Sequence, residues 1–223
     1  MSGSEIDWFP IRLSFAVASV ATLIALVAGS ALAWLLARKR FPGRDLLDAL
    51  VTLPLVLPPT VLGYYLLVLL GTRSFFGGFL YQRFGIRLTF TVTAAVIAAT
   101  IHALPLVTKS LRVAFESVDT QLEAAARTLG LSGRRIFFRV TLPLAWRGVL
   151  AATALAFARA LGDFGVTIMI AGNIPGKTQT ASVAIYDAAQ AGRDNEAFML
   201  AVIVSLIATA MLYFINRFGR VRW

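Results

Sequence analysis

Five stretches of this chain run for nineteen to twenty-five residues with almost no charge, and such runs leave few folds open. Residues 13–37, 49–70, 88–108, 148–171 and 197–215 are each long enough, or nearly so, to cross the roughly 30 Å of bilayer hydrocarbon as a helix of about 20 residues. Lipid offers no partner to backbone N–H and C=O groups, so only helices and closed barrels span it. These continuous runs lack the strict alternation of a lipid-facing strand. The chain therefore reads as an all-α, polytopic membrane helix bundle of five to six transmembrane helices, a single transmembrane domain over residues 1–223. With 223 residues, 58% hydrophobic and 14% charged, no room is left for a soluble catalytic domain.

The chemistry open to the chain is narrow. It has no cysteine and one histidine, His102, which excludes thiolate chemistry, disulfides and a His-rich metal cluster. The first apolar run is longer than a signal peptide's core and is followed, not preceded, by basic residues, so it is expected to stay as a permanent helix.

The formal charge of +10 reads as topology and contact with anionic lipid, not as nucleic-acid binding. Arg38, Lys39, Arg40 and Arg44 follow the first run. Lys109, Arg112, Arg127, Arg134, Arg135, Arg139 and Arg147 fill the connection between the third and fourth, and Arg217, Arg220 and Arg222 follow the fifth. An external N-terminus places all fourteen in the cytoplasm, against six outside: Arg12, Arg73, Arg83, Arg87, Lys177 and Arg193. On the external side, residues 71–87 are rich in aromatics and form either an interfacial helix or a helical lid. Residues 178–190, after the break at Gly172–Gly176, give an amphipathic stretch, the candidate sixth element.

The basic connection 109–147 is too long for a turn and must fold. Leu122, Ala125, Ala126 and Leu129 fall at i, i+3, i+4 and i+7, one face of a helix. Ser117 or Asp119 caps its start and Gly130 supplies the turn that stops it. Ser132 then caps a second, basic helix carrying Ile136, Phe137 and Val140, ended by Pro143. Two roles fit: a hairpin on the membrane surface, or a docking element whose small side chains admit a partner's groove.

The run Glu123 to Gly130 (EAAARTLG), with Val140-Thr-Leu142-Pro143 following, resembles the EAA signature of ATP-binding-cassette import permeases: E-A-A, three residues, glycine, nine residues, I-x-L-P. Counted back from Gly130, the signature's glutamate falls at Ala124, its alanines at Ala125 and Ala126, and its isoleucine at Val140. Glu123 stands one residue early, about 100° round the helix. Arg40-Phe-Pro-Gly43, Leu53 to Pro59 (LPLVLPP), Gly63-Tyr64, Phe157 to Gly165 (FARALGDFG) and Asn173-Ile-Pro-Gly176 extend the likeness to the molybdate permease subfamily, within the binding-protein-dependent inner-membrane components.

That resemblance implies a MetI-like permease without enzymatic activity or a cofactor of its own. It implies a second copy of the chain, two cytoplasmic ATPase subunits that hold the ATP and Mg, an external oxyanion-binding protein, and residence in a bacterial or archaeal cytoplasmic membrane. Glu123, Ala125, Ala126, Gly130, Leu142 and Pro143 are the implied ATPase-coupling positions. Pathway or gate candidates are Pro58, Pro59, Gly63, Arg159 and Asp163. The last two lie i,i+4 within the fourth run, either as a neutralised pair joining helices or as a source of positive potential beside an oxyanion path. His102 and Pro105 read as packing and kink residues. Residues 171–178 approach a G-x-x-x-x-G-K-T phosphate loop but start with alanine and follow a membrane span, so nucleotide binding is not expected.

Overall fold

The computed structural model describes residues 7–219, and Arg220 and Arg222 of the charge count lie outside them. Among the described residues all regular structure is helical: α1 (Phe9–Arg38), α2 (Arg44–Val56), α3 (Pro59–Leu70), α4 (Phe75–Phe84), α5 (Val92–Glu116), α6 (Thr120–Thr128), α7 (Gly133–Ile136), a π-helical turn (Phe137–Thr141), α8 (Leu142–Leu144), α9 (Trp146–Leu161), α10 (Gly165–Ala171), α11 (Ala181–Gln190) and α12 (Asp194–Gly219).

The centre of the bundle is built from small side chains. α1 presents Ala18, Ala21, Ala25 and Ala33, α5 presents Ala94, Ala95, Ala98, Ala99 and Ala103, and α9 presents Ala152, Ala156 and Ala160, all buried. In lipid there is little hydrophobic gain in joining two apolar helices, so close backbone approach and dispersion must supply the attraction, and small residues permit it. At Gly29 α1 approaches α5 closely: a Cβ there would lie 2.6 Å from Val107 Cγ1. At Gly148 a Cβ would collide with that of Ala114, fixing the start of α9 against the end of α5. α1 and α5 thus run parallel, with α9 antiparallel between them.

Three helices, Phe9–Arg38, Val92–Glu116 and Asp194–Tyr213, are long and apolar enough to span alone. The expected second span is instead broken: α2 and α3 meet at 112° around Leu57-Pro58, where Pro59 opens the new helix and neither half is long enough to cross. The expected fourth span, α9 plus α10, is interrupted at Gly162–Phe164, and its N-terminal end turns by 78° at Ala145 from the segment Gly133–Leu144. The candidate sixth element is α11, ten residues and about 15 Å long, half a hydrocarbon thickness. It packs on α1 and α12 through Ala181, Ala184, Ile11 and Leu200; the described helices give three units long and apolar enough to span, or up to five if each bent pair counts as one.

α4 occupies the 71–87 connection. Ser74 caps it, accepting from the Gly77 N–H at 2.8 Å, and Phe75, Phe76, Phe79 and Phe84 are exposed.

Candidate functional site

The connection between α5 and α9 folds as a helical hairpin at the basic end of the bundle. Asp119 caps α6, its carboxylate accepting from the Gln121 N–H at 2.8 Å; Ser117 instead donates back to the Ala114 carbonyl. α6 ends in a Schellman turn, with Leu131 N–H on the Ala126 carbonyl and Gly130 N–H on that of Arg127. Gly130 sits there at φ +82°, and its side of the turn faces open space.

The helix divides the positions that periodicity had grouped. Leu122, Ala125 and Leu129 are exposed, Leu129 at 82%, and form an outward row. Ala126 and Glu123 are turned into the bundle, so they do not belong to the outward face with Ala125. One carboxylate oxygen of Glu123 accepts from Arg38 Nε at 3.1 Å, Arg38 Nη2 at 2.9 Å and Thr141 Oγ1 at 2.8 Å. Arg38 Nη2 also donates to the Val118 carbonyl at 3.0 Å. Glu123 therefore fastens α6 to the end of α1 and to the second arm of the hairpin. Its position one residue ahead of the signature register is what swings it onto this inner face.

In the second arm, Pro143 does not end the helix. Proline lacks an N–H and crowds the carbonyl four residues back, so an unbroken α-helix cannot carry it unchanged. The chain widens ahead of it into a π-turn over Phe137–Thr141, with Leu142 N–H reaching the Phe137 carbonyl five residues back, and the helix continues to Leu144. Pro143 is exposed, whereas Leu142 packs partly inward.

A second basic–acidic cluster, unseen as a unit in sequence, ties the same end together. Asp48 of α2 accepts from Lys109 Nζ at 2.7 Å and Arg112 Nη1 at 3.0 Å on α5, and Arg112 also pairs with Glu116 at 2.9 Å. Three of the fourteen cations read as topology signals, Arg38, Lys109 and Arg112, are thus neutralised in ion pairs.

The interruption between α9 and α10 holds the other charged site. Asp163 is 2% exposed in that break, and its Oδ2 accepts from Thr167 Oγ1 at 2.6 Å and Thr167 N–H at 3.2 Å. Its Oδ1 lies 2.6 Å from His102 Nδ1 and 3.4 Å from Arg159 Nη1, while Arg159 Nη2 stands 2.6 Å from the same His102 nitrogen. His102 is a polar partner in this cluster and not only a packing residue. Arg159 cannot accept a hydrogen bond, so one proton placement cannot satisfy all three groups: Nδ1 either donates to Asp163 or accepts from Arg159. Arg159 keeps 28% of its side chain exposed while Asp163 and His102 are enclosed. Ion pairing and an open cationic face thus coexist at one side chain.

Among the remaining pathway candidates, Pro58 and Pro59 are exposed at the α2–α3 break. Gly63 is not: it is buried where a Cβ would lie 2.7 Å from that of Met169, so it admits α10 against α3 instead of lining open space. Gly165 does the same against Pro59.

The 171–178 segment closes on itself. The Ile174 carbonyl accepts from the N–H groups of Lys177, Thr178 and Gln179, so these amides cannot cradle a phosphate. Among the described residues there is no cluster of metal-ligating side chains.

A family model described as "Binding-protein-dependent transport system inner membrane component" matches residues 16–220. The chain is 48% identical over 207 residues to the molybdenum transport system permease protein ModB of Escherichia coli K12, covering 92% of this chain and 90% of that protein. It is 37% identical over 213 residues to the sulfate transport system permease protein CysT of Salmonella typhimurium, covering 94% of this chain and 76% of the relative. In fold it resembles an inward-facing methionine transporter, MetNI, at TM-score 0.74 and 20% identity, over 99% of this chain and 98% of that one.

Proposed function

This chain belongs to the binding-protein-dependent transport system inner membrane component family, and from that premise we propose that it moves a tetrahedral oxyanion, molybdate or tungstate, inward as half of a homodimeric ATP-driven importer. Two ATPase chains, holding ATP and Mg, dock beneath it in this reading, and an external binding protein delivers the anion. The N-terminus lies outside and the basic end faces the cytoplasm.

The observation that carries the reading is the two-sided α6. Its outward row of Leu122, Ala125 and Leu129 offers small and apolar side chains to a groove, while Glu123 on the other side clamps it to α1. A docking helix must be both accessible and rigidly attached to pass a displacement into the membrane. The attachment continues through the second arm into α9, which ends at the Arg159–Asp163 cluster. The exposed face of Arg159 supplies positive potential for a dianion, and the enclosed Asp163 limits how tightly the anion is held. A permease that bound its cargo firmly would not release it.

The 48% identity to a molybdenum permease, against 37% to a sulfate permease, favours molybdate over sulfate. The test is uptake of molybdate into vesicles containing this chain, its ATPase and its binding protein. Uptake is expected only with ATP. Uptake driven by an ion gradient without the ATPase overturns the importer reading, and preference for sulfate overturns the substrate.

A further inference from the structure

An apolar groove of about 610 Å³ opens at the basic end between α1 and the second arm of the hairpin, apart from the Glu123 clamp and the Arg159–Asp163 cluster. Leu26, Val27, Ser30, Ala31 and Trp34 form its α1 wall, and Phe137, Phe138 and Leu142 lie among the residues opposite. Successive turns of α1 place these residues on one face, and Ser30 with Ala31 make its middle shallow, leaving a channel about 12 Å long. That length suits a run of acyl methylenes.

Charge is confined to one end. Trp34 meets Phe137 edge to face at 6.3 Å, and the Lys39 ammonium stands 5.9 Å from the Trp34 ring. Arg134 lines the groove one helical turn before Phe137 and has no acidic partner among the described residues. From Leu131 to Val149 the chain carries four arginines and no aspartate or glutamate. A tryptophan beside two cations at the mouth of an apolar channel, beside a membrane-spanning helix, matches the order of chemistry along a phospholipid: phosphate, interface, acyl chain.

We propose that this groove binds one anionic phospholipid, with its phosphate between Lys39 and Arg134 and one acyl chain along Ser30 and Ala31. A lipid seated there would fill the gap between α1 and the second arm of the hairpin, and would brace the hairpin in addition to the Glu123 clamp.

The full-length protein in detergent, titrated with dioleoylphosphatidylglycerol or dioleoylphosphatidylcholine and read by native mass spectrometry, tests this. Phosphatidylglycerol is expected to be retained over phosphatidylcholine, and Lys39→Gln and Arg134→Gln each to weaken retention about fivefold, the worth of one basic residue near an anionic headgroup. Arg83→Gln, at the opposite end, is the control and should change nothing. Equal retention of both lipids, or of wild type and the two variants, overturns the proposal. A photo-crosslinker at position 31 in the assembled transporter in phosphatidylglycerol vesicles should yield a lipid adduct. Capture of the ATPase or of the second copy instead overturns it, because the groove would then be a protein interface.

Discussion

Glu123→Ala removes one partner of the clamp that ties α6 to the end of α1 at Arg38. The substitution removes the acceptor of two guanidinium hydrogen bonds and of the fully buried Thr141 hydroxyl. Breaking one side of a buried ion pair costs about 3–5 kcal/mol. The two side chains here keep 12% and 11% exposure at the end of the bundle, and Arg38 retains the Val118 carbonyl, so the lower figure, about 3 kcal/mol, applies. For a chain of this length that corresponds to a melting temperature lower by about 6–12 °C, measured on the detergent-solubilised protein. Arg38→Met should cost a similar amount. The double variant Glu123→Ala/Arg38→Met should cost less than the sum of the two and no more than either alone, because the second change removes the charge that the first strands. In vesicles with the ATPase, Glu123→Ala should lower uptake more than ATP hydrolysis, since α6 still docks but is loosely tied to α1. Additive losses in the double variant, or an unchanged melting temperature in Glu123→Ala, would refute the clamp.

Further outcomes follow from single positions. Gly130→Ala forces a Cβ into φ +82° with nothing to collide with, so it should cost about 1–2 kcal/mol by thermal melting, with Gly130→Asn milder. Ala125→Leu lies on the exposed row and should leave the melting temperature unchanged while cutting copurification with the ATPase; normal copurification and normal uptake would count against the docking face. Gly29→Leu should prevent α1 from seating on α5 and abolish the folded yield, with partial recovery on adding Val107→Ala. Asp163→Ala strands Arg159 and leaves Thr167 and His102 without their acceptor, and should destabilise by about 3 kcal/mol in the same melts, with Arg159→Met in that background restoring part of it.

What the sequence made legible depended on whether the signal was local. The α6 helix, its Asp119 cap and its glycine stop were readable because capping and helix period act over a few residues, and these are found in place, whereas the four residues assigned to one face are split between two. The same periodicity could not say which side of α6 faced the bundle. Ala125 and Ala126 are adjacent and chemically identical, and only the ion pair with a residue 85 positions away decides that Ala126 turns inward. The signal available was the pairing of an acid in the hairpin with a cation ending the first apolar run, which topology had counted as a surface charge. Pro58 and Pro59 announced a break, but its 112° angle follows from α3 packing Gly63 and Pro59 against α10, a contact with no trace in the local pattern. His102 illustrates the limit most plainly: a lone histidine in an apolar run has no recognisable spacing, and Asp163 lies 61 residues away.

The two charged sites are mechanically joined by α9. It starts at the Ala145 corner, beside the clamp that holds the hairpin, and runs sixteen residues, about 24 Å, before breaking immediately ahead of Asp163. Its first turn cannot slide on α5, because Gly148 already touches Ala114, and its last turn carries Arg159 onto the fixed His102 of the same α5. A displacement of the hairpin must therefore appear either as a pivot about the Gly148 contact or as bending at the Gly162–Phe164 break. A pivot moves the far end of α9 by more than the near end, since the contact lies within its first turn. The group displaced is the Arg159 guanidinium, whose ties to Asp163 and His102 compete for one nitrogen and which alone in the cluster has an open face. The break thus puts the least completely satisfied side chain of the cluster at the far end of the helix that continues from the hairpin, where the proposed docking of α6 would be felt most.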